Sequence, residues 1–185
     1  MLSSPVRRGS PRLAFVAGLL AGGTLTAAVL VVVGSLVRAP LPMPVRLAVV
    51  GVALIAVLLR RLGLLAFRLP ESRRLVPETV FRLGRHLGPL QFGLEMGTGA
   101  RTYLPSGLPY VGAVAVLMVA PLPPALCAGA GFGLGRALMT ASSLRYGADD
   151  GWHREWRDHA RTLAGLTGAA FMVSLLAIPL WSGMP

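Results

Sequence analysis

Between Leu13 and Val37 the chain runs for 25 residues without a charged side chain. About 20 apolar residues in an α-helix cross the hydrocarbon core of a bilayer, so this run ties the fold to helices and to a membrane. The rest of the composition agrees. Of the 185 residues, 54% are hydrophobic and 14% are charged, against about 25% charged in a soluble domain. Too few polar side chains are present to cover a water-soluble surface. Arg7, Arg8 and Arg12 precede the run in the order of a signal peptide. A signal's apolar region is about 7–15 residues, so the longer run is read as a retained first span.

The remaining apolar stretches predict an all-α fold, a polytopic membrane helical bundle forming one domain over 1–185. Spans are expected at 13–37, 45–67, 87–120, 123–143 and 162–182. The formal charge is +11, and all 18 basic residues are Arg. The lack of Lys is the skew of a GC-rich genome. The arginines flank the spans, so membrane orientation accounts for them and nucleic acid is not expected as a partner. Loops rich in Arg (the N-terminal tail, 68–86, 144–161) alternate with poorer ones (38–46, the Pro121–Pro124 turn, the C-terminus). The positive-inside rule then gives a cytoplasmic N-terminus, five crossings and an outside C-terminus in a bacterial cytoplasmic (inner) membrane. Within the Arg-rich loops, "ETVFRLGRHLG" after Pro77 and "DDGWHREWRDHARTL" with Trp152 and Trp156 predict two cytoplasmic interfacial helices lying in the headgroups.

The 87–120 segment departs from this regularity. Its 34 residues would make a straight helix of roughly 50 Å, longer than the ~30 Å core. Its middle reads "TYLPSGLPYVG". Proline removes a donor and clashes with the preceding turn. The expected result is one discontinuous helix, broken at 103–109 by Pro105, Gly107 and Pro109. Irregular backbone at membrane depth survives only inside protein or against a wet cavity. Two crossings joined by a tight turn, six spans in all, is the other possibility, though it spoils the charge alternation.

The halves share a faint signature, a possible repeat of 13–67 and 88–143. Gly18-Leu19 and Gly22 match Gly93-Leu94 and Gly97 at an offset of 75, and "APLP" occurs at Ala39–Pro42 and again at Ala120–Pro123. Transporters built by duplication place their sites at the repeat interface and in discontinuous helices.

Ionisable groups inside a membrane are costly and usually functional. Glu95 and Arg101 lie in the glycine-rich half before the prolines. They are about 240° apart on a regular helix, so pairing needs unwinding, which Gly97 and Gly99 permit. One reading is a substrate or ion site formed by Glu95, Arg101, Thr102 and Ser106. The other puts Glu95 at the interface and lets Arg101 snorkel. Arg136, after "GAGFGLG", is either a counter-charge for Glu95 or a second snorkelling residue, and its glycines also suit close helix packing. Asp149/His153 and Glu155/His159 are i,i+4 pairs, but the two pairs share a face poorly. A solvated amphipathic helix capped by Asp149 or Asp150 is expected there, and no metal. Cys127 is the only cysteine, which rules out an internal disulfide or a Cys-rich metal site. No catalytic residue and no cofactor is expected, because there is no Ser–His–Asp set, Walker loop or HExxH.

The stretch "FGLEMGTGARTYLPSGLPYVGAV" resembles the first span of the membrane thiol-electron carriers, namely the cytochrome c biogenesis transmembrane proteins and the central domain of the disulfide-isomerase reductants. Their hallmark is a glycine-rich half-helix, Pro-Cys-x-Leu-Pro, and a second half-helix. Pro105-Ser106-Gly107-Leu108-Pro109 keeps both prolines and the leucine, and Ser106 stands where the reactive cysteine would be. The resemblance implies a broken-helix scaffold without the thiol exchange that two cysteines would perform. Two functional classes follow. The chain moves a small solute or ion at the break, or it is a non-catalytic accessory subunit packed against another membrane protein or a second copy of itself. A redox relay through Cys127 and a partner's thiol is a third, narrower option.

Overall fold

The computed structural model describes residues 10–61, 63–66, 84, 86–99, 107–145, 159 and 162. Among them there are five helices and no strand: α1 (Ser10–Arg38), α2 (Met43–Arg61), α3 (Leu87–Gly97), α4 (Leu108–Met118) and α5 (Leu122–Arg145). Each helix carries a proline in its first three residues: Pro11, Pro44, Pro89, Pro109, and Pro123 with Pro124. The first-turn N–H has no partner within the helix, and the fixed φ of proline suits a helix start. The prolines therefore mark where helices begin.

Two compact units divide the chain, Met1–Leu138 and Met139–Pro185. In the second, the described residues are the last two turns of α5, with His159 and Thr162 in helical conformation and exposed. The expected last span, 162–182, lies outside the described residues apart from Thr162. So do almost all of the expected interfacial helices.

In the first unit α1 is the central post. It packs α3 along its first half in parallel: Gly18 sits against Leu90 and Leu94, and Gly22 against Leu94 and Thr98. The contacts are reciprocal. Gly93 sits against Phe15 and Leu19, and Gly97 against Leu19. The offset of 75 relates Gly18 to Gly93, Gly22 to Gly97, Phe15 to Leu90 and Leu19 to Leu94, so these contacts of the α1–α3 pair are reciprocal at the level of the backbone. A Cβ on Gly18 would run into the Leu90 carbonyl and lie 2.8 Å from the Leu94 nitrogen. Only glycine permits this approach, the geometry of small-xxx-small pairs in membranes. Phe15 and Phe92 stack beside it, with ring centroids 5.8 Å apart.

Further along, Gly34 of α1 meets Leu117 of α4. α3 and α4 thus follow one course along α1, one after the other. α5 returns antiparallel, with Gly129 against Gly23 and Ala27, and Gly133 against Leu19 and Leu20. Val31, Val116 and Ala125 close the corner between α1, α4 and α5. There Arg38 Nη1 donates to the Ala120 carbonyl at 2.9 Å, which brings the two Ala-Pro-Leu-Pro turns to the same end of α1.

α2 packs on α4, and among its described side chains only Val50 is buried. Large apolar side chains face outward, such as Leu36 at 76% exposed, Leu13 at 72% and Val52 at 67%, and no polar side chain is buried among the described residues. Two helices, α1 and α2, are long and apolar enough to cross a membrane.

Candidate functional site

The candidate site is read from the end of α3 and the start of α4, the described residues on either side of 100–106. α3 stops because of its glycines. Thr98 is its C-cap, and Gly99 turns to φ +71°, a left-handed conformation that favours glycine and is the common helix stop. The Gly99 amide donates to the Met96 carbonyl at 3.3 Å. The Glu95 carbonyl, which the amide of residue 99 would take in a continuing helix, instead accepts the Thr98 hydroxyl at 2.7 Å. A side-chain hydroxyl thus stands in for a lost backbone donor.

From α1, the Thr26 hydroxyl reaches this end. Its oxygen is 3.0 Å from the Gly22 carbonyl and 3.4 Å from the Thr98 carbonyl. From α5, the tip of Phe132 closes over Gly99, where an added Cβ would lie 3.3 Å from the ring. On the far side of 100–106 α4 begins with Gly107 as N-cap and Pro109 at its second position. Gly107 is pressed on the Val57 side chain of α2, 2.7 Å from where a Cβ would sit. Gly107 and Pro109 therefore open α4, while Gly97, Thr98 and Gly99 close α3. Among the described residues, α3 ends at Gly97 and α4 begins at Leu108.

Glu95 is half-buried on α3. Leu90, Gly93, Leu94 and Gly97 define the face against α1, and a step of 100° per residue turns Glu95 roughly 150° away from that face. Gln91, one turn earlier, donates to Glu95 Oε1 at 3.5 Å. Arg136 sits on α5 one turn beyond Phe132, its guanidinium carbon 5.8 Å from the ring centroid, a cation–π distance. Its Nε is buried. Arg101, Thr102, Pro105 and Ser106 lie outside the described residues. Among the described residues no group of three metal-ligating side chains comes together. Cys127 is a free, exposed thiol on α5.

Sequence reading missed Thr26 as part of this site. Its signal was its place: it lies four residues after Gly22, in the segment that matches the end of α3. Compared with protein families, with curated proteins and with solved structures, the chain matches none.

Proposed function

We propose that this chain is a small polytopic protein of the bacterial cytoplasmic (inner) membrane that moves a small solute or ion past the break between α3 and α4. The observation that carries this reading is the shared course of those two helices along α1. At 11 residues each, each is about 16 Å long, too short to span alone against a ~30 Å core. End to end they suit one crossing with an irregular midpoint. Such midpoints in transporters expose half-helix ends and backbone carbonyls to the transported species. The outward-facing Leu and Val side chains support a lipid surround. The common end of the two Ala-Pro-Leu-Pro turns is what the five-span layout requires of these two loops. The reciprocal glycine contacts support a repeat of 13–67 and 88–143. The reading keeps the scaffold of the thiol-electron carriers and drops their redox step, since Ser106 stands at the cysteine position.

The test is reconstitution. Purified protein in liposomes moves solute, and Glu95→Gln stops it while the protein still folds. One observation favours a second reading, an accessory subunit of a larger membrane complex or a homo-oligomer. α2 leaves most of its surface open, and among the described residues nothing comes within 4 Å of a Cβ built on Gly131 or Gly135 of α5. In that case mild-detergent purification brings down a stoichiometric partner and Glu95→Gln has little effect.

A further inference from the structure

The turn that joins α1 to α2 has an arginine at each side, and both side chains are held. The Leu41 amide donates to the Arg38 carbonyl at 3.1 Å and closes the turn. Arg46 reaches back to it, and its Nε donates to the Leu41 carbonyl at 2.7 Å. Arg38 Nη1 donates across to the Ala120 carbonyl at 2.9 Å. Two guanidinium groups are thus fastened at one turn, and each keeps further N–H donors. The segments 38–46 and 119–124 contain no acidic residue. The one carboxylate among the described residues is Glu95 of α3, which packs along the other half of α1.

The backbone adds to the same sign. Arg38 lies in the last turn of α1, where the helix dipole favours a cation. Arg46 lies at the start of α2, a 19-residue helix with no acid in its first turn, and there the dipole disfavours a cation and favours an anion. In the proposed five-span layout the turn is also outside, where the positive-inside bias counts against two arginines. Ala39, Pro40 and Pro42 are exposed, as are Pro121, Leu122 and Pro123 of the facing turn.

We propose that the Arg38–Arg46 turn is a phosphate-binding site, in which both guanidinium groups donate to the oxygens of one phosphate. The planar fork of arginine suits phosphate oxygens, and side chains already held lose less freedom on binding. The phosphate belongs to a lipid headgroup or comes from solution; the chemistry is the same, and no covalent bond changes. The site does not depend on the break between α3 and α4.

The test is residue-by-residue protection from phenylglyoxal, which modifies arginine, in the full chain in a neutral detergent, with the modified positions mapped by mass spectrometry. The probes are dioctanoyl phosphatidylglycerol, dioctanoylglycerol, which lacks the phosphate, and inorganic phosphate. The expected result is that phosphatidylglycerol at roughly ten times its half-protecting concentration slows modification of Arg38 and Arg46 about tenfold, while dioctanoylglycerol does not. In Arg46→Gln the concentration that protects Arg38 rises about tenfold, the loss of a charged hydrogen bond, while the response of Arg12, at the other end of α1, stays as in wild type. Arg38→Gln gives the reciprocal reading at Arg46. Circular dichroism checks the fold, and if Arg38→Gln melts early through loss of the Ala120 bond, Arg46→Gln decides. Protection by inorganic phosphate marks a soluble phosphate as a ligand, and protection by phosphatidylglycerol alone marks the headgroup. No protection by either phosphate, equal protection by dioctanoylglycerol, or undiminished protection of Arg38 in Arg46→Gln overturns the proposal.

Discussion

Gly18 of α1 rests on the backbone of Leu90, and Gly93 of α3 rests on the backbone of Phe15, so each glycine is the seat for the other helix. At this separation Cα–H groups reach carbonyl oxygens. Close packing of this kind is what holds helices together in a bilayer, where apolar burial between them adds little.

Filling the seat forces the helices apart. Gly18→Leu and Gly93→Leu are each expected to lower stability by about 1–3 kcal/mol, the range for overpacking. Because the contacts are reciprocal, the two losses should be similar. Gly131→Ala and Gly51→Ala meet open space among the described residues and should instead gain up to about 1 kcal/mol of helix propensity. Thermal unfolding in detergent micelles, followed by circular dichroism, reads all four.

Arg38 ties the end of α1 to the α4–α5 turn through the Ala120 carbonyl. The bond is only partly buried, so its net worth is about 1 kcal/mol. Arg38→Met should speed amide exchange in residues 119–126 and leave α3 unchanged. Hydrogen-exchange mass spectrometry compares the two regions directly. Equal acceleration in both would mean that the arginine acts on the whole bundle and not on this turn.

Much of the helix order was legible in the sequence. The apolar runs announced α1, α2 and α5, whose observed bounds lie within a few residues of the expected ones, apart from the C-terminus of α2. The break expected at 103–109 falls mostly outside the described residues; among those described, α3 ends at Gly97 and α4 starts at Leu108. Proline marks a helix start, and Pro109 does open α4. The stop of α3 is set earlier by Gly99 in its left-handed turn, which a glycine-rich sequence does not single out. The matched glycines at 18, 22, 93 and 97 were visible as a repeat, yet their face-to-face packing was not, because sequence periodicity does not say which helices meet. Thr26 escaped for the same reason: a threonine in an apolar helix commonly bonds back to its own turn, and only the neighbouring helix end gives it a second acceptor.

The left-handed turn at Gly99 makes its own prediction. An alanine there adopts φ +71° at a cost of about 1–2 kcal/mol and meets the Phe132 ring at 3.3 Å. Gly99→Ala should therefore be destabilising where Gly131→Ala is not. Adding Phe132→Leu should recover only the steric part, so the double variant stays below wild type in the same unfolding assay.

The course of α3 and α4 can be tested without any substrate. Phe92 lies beside Phe15 near the start of α1, and Ala120 lies beside Arg38 at its end. From Gly18 to Gly34, the α1 glycines that meet α3 and α4, is about 24 Å along the axis. If α1 crosses the bilayer, the flanks of 87–120 emerge on opposite sides. Cysteines placed at Gly84 and Pro121, both exposed, in a Cys127→Ser chain should then label from opposite faces with an impermeant maleimide. Gly84→Cys should react only in inverted vesicles and Pro121→Cys only in intact cells. Labelling of both from one face would require the chain to double back between Thr98 and Gly107, which would separate Leu117 from Gly34 and remove the single broken crossing on which the proposed site depends.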